Sequence, residues 1–417
     1  MKVLVVGSGG REHAICWKIS ENKDVEKIYC APGNGGIALL EKGENVNITG
    51  SDNLLNFALE NRIDLTIVGS EELLVDGIVD KFKKAGLKIF GPDKKAALLE
   101  GSKAFAKDFM KKYGIKTAAY EVFKDVMKAK EYIRKCEFPL VVKASGLAAG
   151  KGVIICENLD SALKAVDEIM IDKVFNDAGH EIVVEEFLDG VEASILSVTD
   201  SRFIMPFISA KDHKKIGEKE TGLNTGGMGT IAPNPYVTDE VYKTFVDDIM
   251  KPTLEGIKAE NMDFAGFIFF GLMITKKGVY LLEYNMRLGD PETQVILPLL
   301  ESDFIDILNS GLNKELDKIE VKWSSKSTCC VVLASGGYPK EYEKGYEIKG
   351  ISDVKDLVFI AGAKEKDGKL YTSGGRVLNV VGIGNDLEEA RKKAYSSVEK
   401  IDFKDKYFRK DIGVLYR

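Results

Sequence analysis

Residues 143–152 read Lys143-Ala144-Ser145-Gly146-Leu147-Ala148-Ala149-Gly150-Lys151-Gly152, between the apolar runs Pro139-Leu140-Val141-Val142 and Val153-Ile154-Ile155-Cys156. A P-loop reads G-x-x-x-x-G-K-[ST] and enters a helix. Here Ser145 stands where the first glycine belongs, Gly152 stands where the Ser or Thr belongs, and the loop runs on into strand-type residues. The segment therefore predicts the tip of a β-hairpin. A glycine hairpin flanked by Lys143 and Lys151 can still fold over a triphosphate. Lys143 lies within an apolar strand, and a lysine is almost never buried without a partner; a phosphate would supply one.

Working outward from the hairpin, the first ninety residues alternate short apolar runs (3–6, 27–31, 65–68, 87–90) with segments of helical spacing (12–20, 54–61, 77–84). Continuous apolar strands between amphipathic helices predict a parallel sheet covered on both faces. Gly91-Pro92 ends this unit, and 92–113 reads as a helical connector. Beyond 138 the pattern predicts antiparallel strands at 139–144, 153–156, 182–187, 192–198, 264–275 and 279–285, a glycine-rich loop at 221–229 and a helix at 239–259. A third unit begins near 327, with strands at 328–334, 358–361 and 376–381 and a helix at 387–401. The chain has 417 residues, which at roughly 100–200 residues per domain implies two to four domains.

Composition excludes several classes. Lys and Arg total 59 against 65 Asp and Glu, a net charge of -6, so bulk charge favours neither nucleic acid nor an acidic membrane. No signal-peptide pattern follows Met1-Lys2. The longest apolar run, near 264–274, falls short of the roughly 20 residues a membrane helix needs. Six cysteines form no C-x-x-C pair, which suits reduced thiols in a cytoplasmic protein. Three scattered histidines argue against a His-rich zinc site.

Two further segments carry chemistry. Gly7-Ser8-Gly9-Gly10-Arg11-Glu12-His13 follows the first strand and starts a helix, as an anion site would. It fails as a dinucleotide fingerprint: Glu12 replaces the third glycine, and the second strand ends in Tyr29-Cys30-Ala31-Pro32 without an acidic residue. A phosphate-bearing substrate clamped by Arg11 and backbone donors is the favoured reading. Near the end of the 279–285 strand, alternation puts Glu283, Asn285 and Arg287 on one face. A carboxylate, an amide oxygen and a cation together suit a metal–phosphate site, since magnesium takes few protein oxygens and completes its octahedron with phosphates and water. The turn Gly289-Asp290-Pro291-Glu292-Thr293-Gln294 adds two carboxylates.

The order glycine hairpin, Glu185-Glu186-Phe187-Leu188, then Glu283-x-Asn285 resembles the ATP-grasp superfamily. Within it the chain is similar, over its whole length, to the phosphoribosylamine–glycine ligases of purine biosynthesis, also called glycinamide ribonucleotide synthetases. The similarity is carried as well by 7–13, 32–34, 101–103, 212–214, 224–229, 289–294, 374–376 and 409–413. Ser70 and Leu223 depart from it, standing where the family usually has proline.

The resemblance implies an α/β and α+β multidomain fold: a Rossmann-like substrate domain (1–100), an ATP-grasp domain (101–326, with a mobile lid at about 122–192) and a small C-terminal α+β domain (327–417). It implies ATP with Mg2+ or Mn2+, and glycine and 5-phosphoribosylamine as small-molecule substrates. Lys103, Lys143, Gly150, Lys151, Gly152, Glu185, Glu186, Phe187, Leu188 and Glu192 would surround the nucleotide. Glu283 and Asn285 would hold metal, and the 264–274 strand offers no further acidic ligand. Arg287 would stabilise the transferring phosphoryl group, Asp290 would hold the glycine ammonium, and Asp212 and Lys214 would handle substrate. Gly9, Gly10, Arg11 and Glu12 would face phosphoribosylamine, with Asn224, Gly226, Gly227, Met228, Gly289, Pro291 and Glu292 completing the substrate site. His213 is read as a structural hydrogen-bonder. The rival readings are a nicotinamide oxidoreductase, a nucleotide sensor without catalysis, and a purine-pathway ligase for a different carboxylate.

Overall fold

The computed structural model describes residues 1–148 and 151–415. Its first layer is a five-stranded sheet in the order Gly43–Asn45, Lys27–Pro32, Lys2–Gly7, Leu65–Val68, Ile89–Phe90, all pairs parallel. Val3, Leu4 and Val5 are fully buried, as a strand covered on both faces requires. The short strand Gly43–Asn45 had no apolar signature and was not expected.

The helical connector is two helices, Lys94–Gly101 and Lys103–Lys112. They break at Ser102, which takes an extended conformation and accepts a hydrogen bond from the Phe105 amide. This break starts the second helix at Lys103, whose amide donates to Ser145 O at 2.7 Å and so ties the helix to the base of the hairpin. The hairpin is real: Leu140–Ala144 pairs antiparallel with Val153–Cys156, Lys143 opposite Val153. With Tyr120–Phe123 and Ile182–Glu186 these strands make a four-stranded sheet of their own. Gly152 is required sterically, because a Cβ there would lie 2.7 Å from the Ala148 methyl. Gly150 lies outside the described residues.

The third sheet has eight strands, in the order Gly278–Asn285, Gly266–Thr275, Val191–Thr199, Ile204–Asp212, Gly229–Ala232, Ser327–Ala334, Arg376–Gly384, Leu357–Ile360. Its first five belong to the middle of the chain and its last three to the C-terminal part. The join is the antiparallel pair Gly229–Ala232 with Ser327–Ala334, so one hydrogen-bonded ladder runs across residue 327. Within the stretch expected to be loop, Thr221–Asn224 is a strand paired with Lys215–Gly217, and Leu223 is exposed on it. The 239–259 helix keeps its extent but carries a π-helical turn at Val246–Met250 before Lys251–Ala259, where Pro252 supplies no amide donor. Among the described residues, no helix is long and apolar enough to cross a membrane.

Asn34 pins the first sheet to the third. Its Nδ2 donates to Ser8 O, Gly9 O and Ile360 O at 2.9–3.0 Å, and its Oδ1 accepts from the Gly36 and Ile37 amides. Asn34→Ala leaves several buried backbone groups unpaired, and the expected loss of stability is about 2–4 kcal/mol. Denaturant titration followed by circular dichroism should show a lower midpoint with an unchanged native spectrum.

Candidate active site

One cavity of about 1100 Å³ opens where the three sheets meet. The hairpin sheet covers it, the glycine loop of the first sheet closes one end, and the Glu283–Asn285 strand end forms its floor. Its walls include Lys103, Lys143, Gly152, Glu185, Phe187, Leu188, Glu192, Asp212, Lys214, Glu283, Asn285, Arg287, Asp290 and Glu292. Gly9, Arg11, Glu12, Asn224 and Gly226 line it as well. Residues separated by up to 283 positions in the chain (9 and 292) are thus brought to one space.

Some expected residues stand back from the wall. Met228 is fully buried in the C-terminal core beside Ile231 and Val331, so it supports the loop from behind. Glu186 points away from its neighbour Glu185, as strand alternation demands, and accepts from the Ala119 amide at 2.9 Å. Lys151 is exposed at the hairpin, and Gly10, Gly227, Gly289 and Pro291 shape the backbone behind the wall. Gly227, at φ +114°, packs against Asp212, where a Cβ would lie 2.7 Å from Oδ1.

Within the chain Lys143 has a carboxylate partner that no local sequence pattern announces. Lys143 Nζ lies 2.9 Å from Glu185 Oε2. Lys107, which sequence reasoning missed, lies 3.2 Å from the other oxygen and donates to Thr117 Oγ1 at 2.6 Å. Burial pushes the Lys107 ammonium down to about 8, against the pull of Glu185. Lys103 is lowered too, by burial first, while Glu283 opposes it. Lys214 pairs with Glu192 at 2.9 Å, which joins two residues assigned separately, one to substrate and one to the nucleotide.

Glu283, Asn285 and Arg287 face one cavity, and Arg287 gains unforeseen partners. Arg287 donates to Asn285 Oδ1 at 3.2 Å, lies 2.9 Å from Glu100 Oε1 and sits 3.7 Å from Glu71 Oε2. Glu100 also accepts from the Met286 amide at 2.7 Å. Both acids were legible in principle. Glu71 opens a helix just past the carboxyl end of a parallel strand, where α/β proteins place ligands, and Glu100 sits three residues before Lys103. Burial pushes Glu283 up, but Lys214, Lys103, Lys143 and Arg287 outweigh it and hold the carboxyl below its ordinary range. An ionised carboxylate beside an amide oxygen is the donor set a hard divalent cation takes. Among the described residues, no group of three His, Cys, Asp or Glu side chains could hold a metal alone.

The first glycine loop is arranged differently from a phosphate clamp. Glu12 Oε2 accepts from the Gly9 amide at 2.6 Å, and its Oε1 takes the Arg11 Nε at 2.6 Å. The Arg11 Nη1 goes to Leu288 O and its amide to Asp290 Oδ2. A Cβ at Gly7, Gly9 or Gly69 would come within 3.0 Å of the Glu12 side chain. The glycines therefore make room for an internal carboxylate, which stands where a dinucleotide pyrophosphate would need the amides. This removes the nicotinamide reading on steric and electrostatic grounds. Beside it, Arg376 donates to Gly226 O at 2.6 Å and Asp290 O at 2.8 Å, linking the 224–229 and 289–294 loops to the C-terminal part. Asp290 is raised by burial but lowered more by Arg376 and Arg11. His213 donates from Nδ1 to Gly229 O and accepts at Nε2 from the Gly413 amide, and burial lowers it to about 3, so the neutral ring is a structural hydrogen-bonder.

A covering hairpin with the inward Lys143, a carboxylate–amide strand end and a Rossmann-like sheet closing one cavity define an ATP-grasp ligase. Comparison narrows the class. Residues 1–100, 101–293 and 328–415 match the N domain, the ATP-grasp (A) domain and the C domain of phosphoribosylglycinamide synthetase. The chain belongs to that family. It is 61% identical to a phosphoribosylamine–glycine ligase of Fusobacterium nucleatum over 423 aligned positions, covering 100% of this chain and 99% of the relative. A Clostridium acetobutylicum protein of the same name is 58% identical, with 99% of each covered. The crystal structure of the Thermotoga maritima phosphoribosylamine–glycine ligase superposes with a TM-score of 0.87 at 37% identity, over 99% of this chain and 100% of that one.

Asp212 and Glu292 are both raised, by burial first; the Glu292 charge adds to the effect on Asp212. The folded protein thus keeps a proton that the unfolded chain releases above about pH 4, so Asp212 costs stability as pH rises. Asp212→Asn should melt higher than the wild type without ligands, with a larger gap at about pH 8 than at about pH 5. Differential scanning fluorimetry at both pH values checks this.

Proposed function

We propose that the chain joins glycine to 5-phosphoribosylamine at the expense of ATP, giving glycinamide ribonucleotide, ADP and phosphate through glycyl phosphate, in purine biosynthesis. The observation that carries the reading is the Glu283–Asn285–Arg287 strand end, which faces the Lys103 and Lys143 ammonium groups across one cavity. A carboxylate is a poor electrophile, so amide formation requires activation. The γ-phosphoryl group passes from ADP oxygen to a glycine carboxylate oxygen. The amine of phosphoribosylamine then attacks the carbonyl carbon, loses a proton and expels phosphate.

The residues divide this work. Lys103, Lys143 and Arg287 offset the charge of triphosphate and carboxylate, whose repulsion at about 4 Å is roughly 4 kcal/mol at an effective dielectric of 20. Glu185, Phe187, Leu188 and Glu192 line the part of the cavity assigned to the nucleoside. Asp290 keeps its charge for the glycine ammonium. Asp212 and Glu292, both raised by burial, face the cavity as neutral hydrogen-bonding groups, and the proton lost by the amine leaves with the phosphate. Glu283 and Asn285 would hold Mg2+ or Mn2+, which when bound neutralises phosphate charge. Positioning and charge neutralisation account for catalysis of this type. In this reading the working parts are 1–100, 101–326 with a lid at about 122–192, and 327–417, and the site of action is the cytoplasm.

Glu283→Gln combined with Asn285→Ala should lower metal-dependent ADP release at least about a hundredfold, since even outer-shell partners of a metal cost roughly 10–100-fold. A magnesium titration of ADP release checks this; full activity would place the metal elsewhere. The mechanism is tested with glycine labelled by oxygen-18 in its carboxylate, together with ATP, magnesium and fresh phosphoribosylamine. Mass spectrometry should find label in the released phosphate with ADP formed. Labelled AMP would instead establish adenylate chemistry.

A further inference from the structure

We propose that Lys107 is a positioning residue: it keeps the Glu185 carboxylate paired so that Lys143 is free to move from Glu185 to the triphosphate. The inference rests on the ATP reading above and deepens it.

Two cations share one buried carboxylate. Lys143 holds Glu185 Oε2 at 2.9 Å and Lys107 lies 3.2 Å from Oε1, and all three side chains are at least nine-tenths buried. The two lysines are mounted differently. Lys107 projects from the helix Lys103–Lys112, donates to Thr117 Oγ1 at 2.6 Å and lies 5.6 Å from the centre of the Tyr120 ring. Thr117 Oγ1 is itself fixed by donating to Leu281 O at 2.6 Å, so the Lys107 ammonium is anchored to the framework around the floor strand. Lys143 projects from the hairpin strand Leu140–Ala144, on the element that covers the cavity.

Consider the site with Lys107 removed. Glu185 and Lys143 would form a lone buried pair, and withdrawing Lys143 would strand a desolvated carboxylate, which is strongly unfavourable. Lys143 would stay on Glu185 and be lost to the phosphates. With Lys107 present, Glu185 remains neutralised when Lys143 leaves, and the pair carries one surplus positive charge towards the nucleotide. Lys107 therefore acts through Lys143 and has no need to touch ATP.

The test is a double-mutant cycle on ATP affinity, read by titration calorimetry without glycine or phosphoribosylamine so that turnover plays no part. Lys107→Met should weaken ATP roughly ten- to a hundredfold, within the range of coupled neighbours. The variant Lys107→Met with Lys143→Met should bind ATP no more weakly than Lys143→Met alone, because no cation remains to be released. Losses that add, as two independent positive charges would give, overturn the proposal; so does unchanged affinity in Lys107→Met. Where Lys107→Met does not fold, Thr117→Val is read in its place, since it keeps both charges and removes the anchor. Wild-type protein that binds no ATP in the same cell overturns the functional reading itself.

Discussion

Charge that is buried must be paired, and this constraint governs how the cavity is built. Lys103, Lys107, Lys143, Lys214, Arg11, Arg287 and Arg376 meet Glu12, Glu71, Glu100, Glu185, Glu192, Glu283 and Asp290 in a region largely withdrawn from water. Each cation would be costly alone, and an ion pair recovers that cost only with good geometry and further hydrogen bonds. The structure supplies these: Glu100 also caps the Met286 amide, and Arg11 also reaches Leu288 O. The result is a preorganised field of paired charges around one cavity.

The same constraint explains the glycines. Around Glu12, three of them clear space for one carboxylate and its two donors, so a loop that opens like a dinucleotide site is filled from within. At the hairpin, Gly152 permits the close approach of Ala148. Glycine-rich loops at two ends of one cavity thus serve two purposes, and only the groups around them tell the purposes apart.

The eight-stranded ladder adds mechanical coupling. Because Gly229–Ala232 pairs with Ser327–Ala334, Asp212 and Gly229, at the end of the 224–229 segment, share a sheet with the strand that begins at Arg376. Arg376 returns across the cavity edge to Gly226 and Asp290. The 224–229 and 289–294 loops are therefore tied to the C-terminal part, by sheet pairing at Gly229 and by the Arg376 side chain.

Local periodicity carried much of this protein. The short apolar runs on either side of 143–152 specify a hairpin because their β-branched residues favour strands and glycines lie between them. Alternation alone puts Glu283, Asn285 and Arg287 on one face, and the missing third glycine at Glu12 already argued against a dinucleotide. What no local pattern contains is which charges meet. Lys143 finds Glu185 at a separation of 42 residues, and Arg287 meets Glu100 and Glu71 across 187 and 216. Lys107 reads as one more lysine on an amphipathic helix until the tertiary fold buries it. Strand and helix formation depend on neighbours a few residues apart, whereas pairing buried charge depends on which distant segments are desolvated together, and only the packed chain decides that.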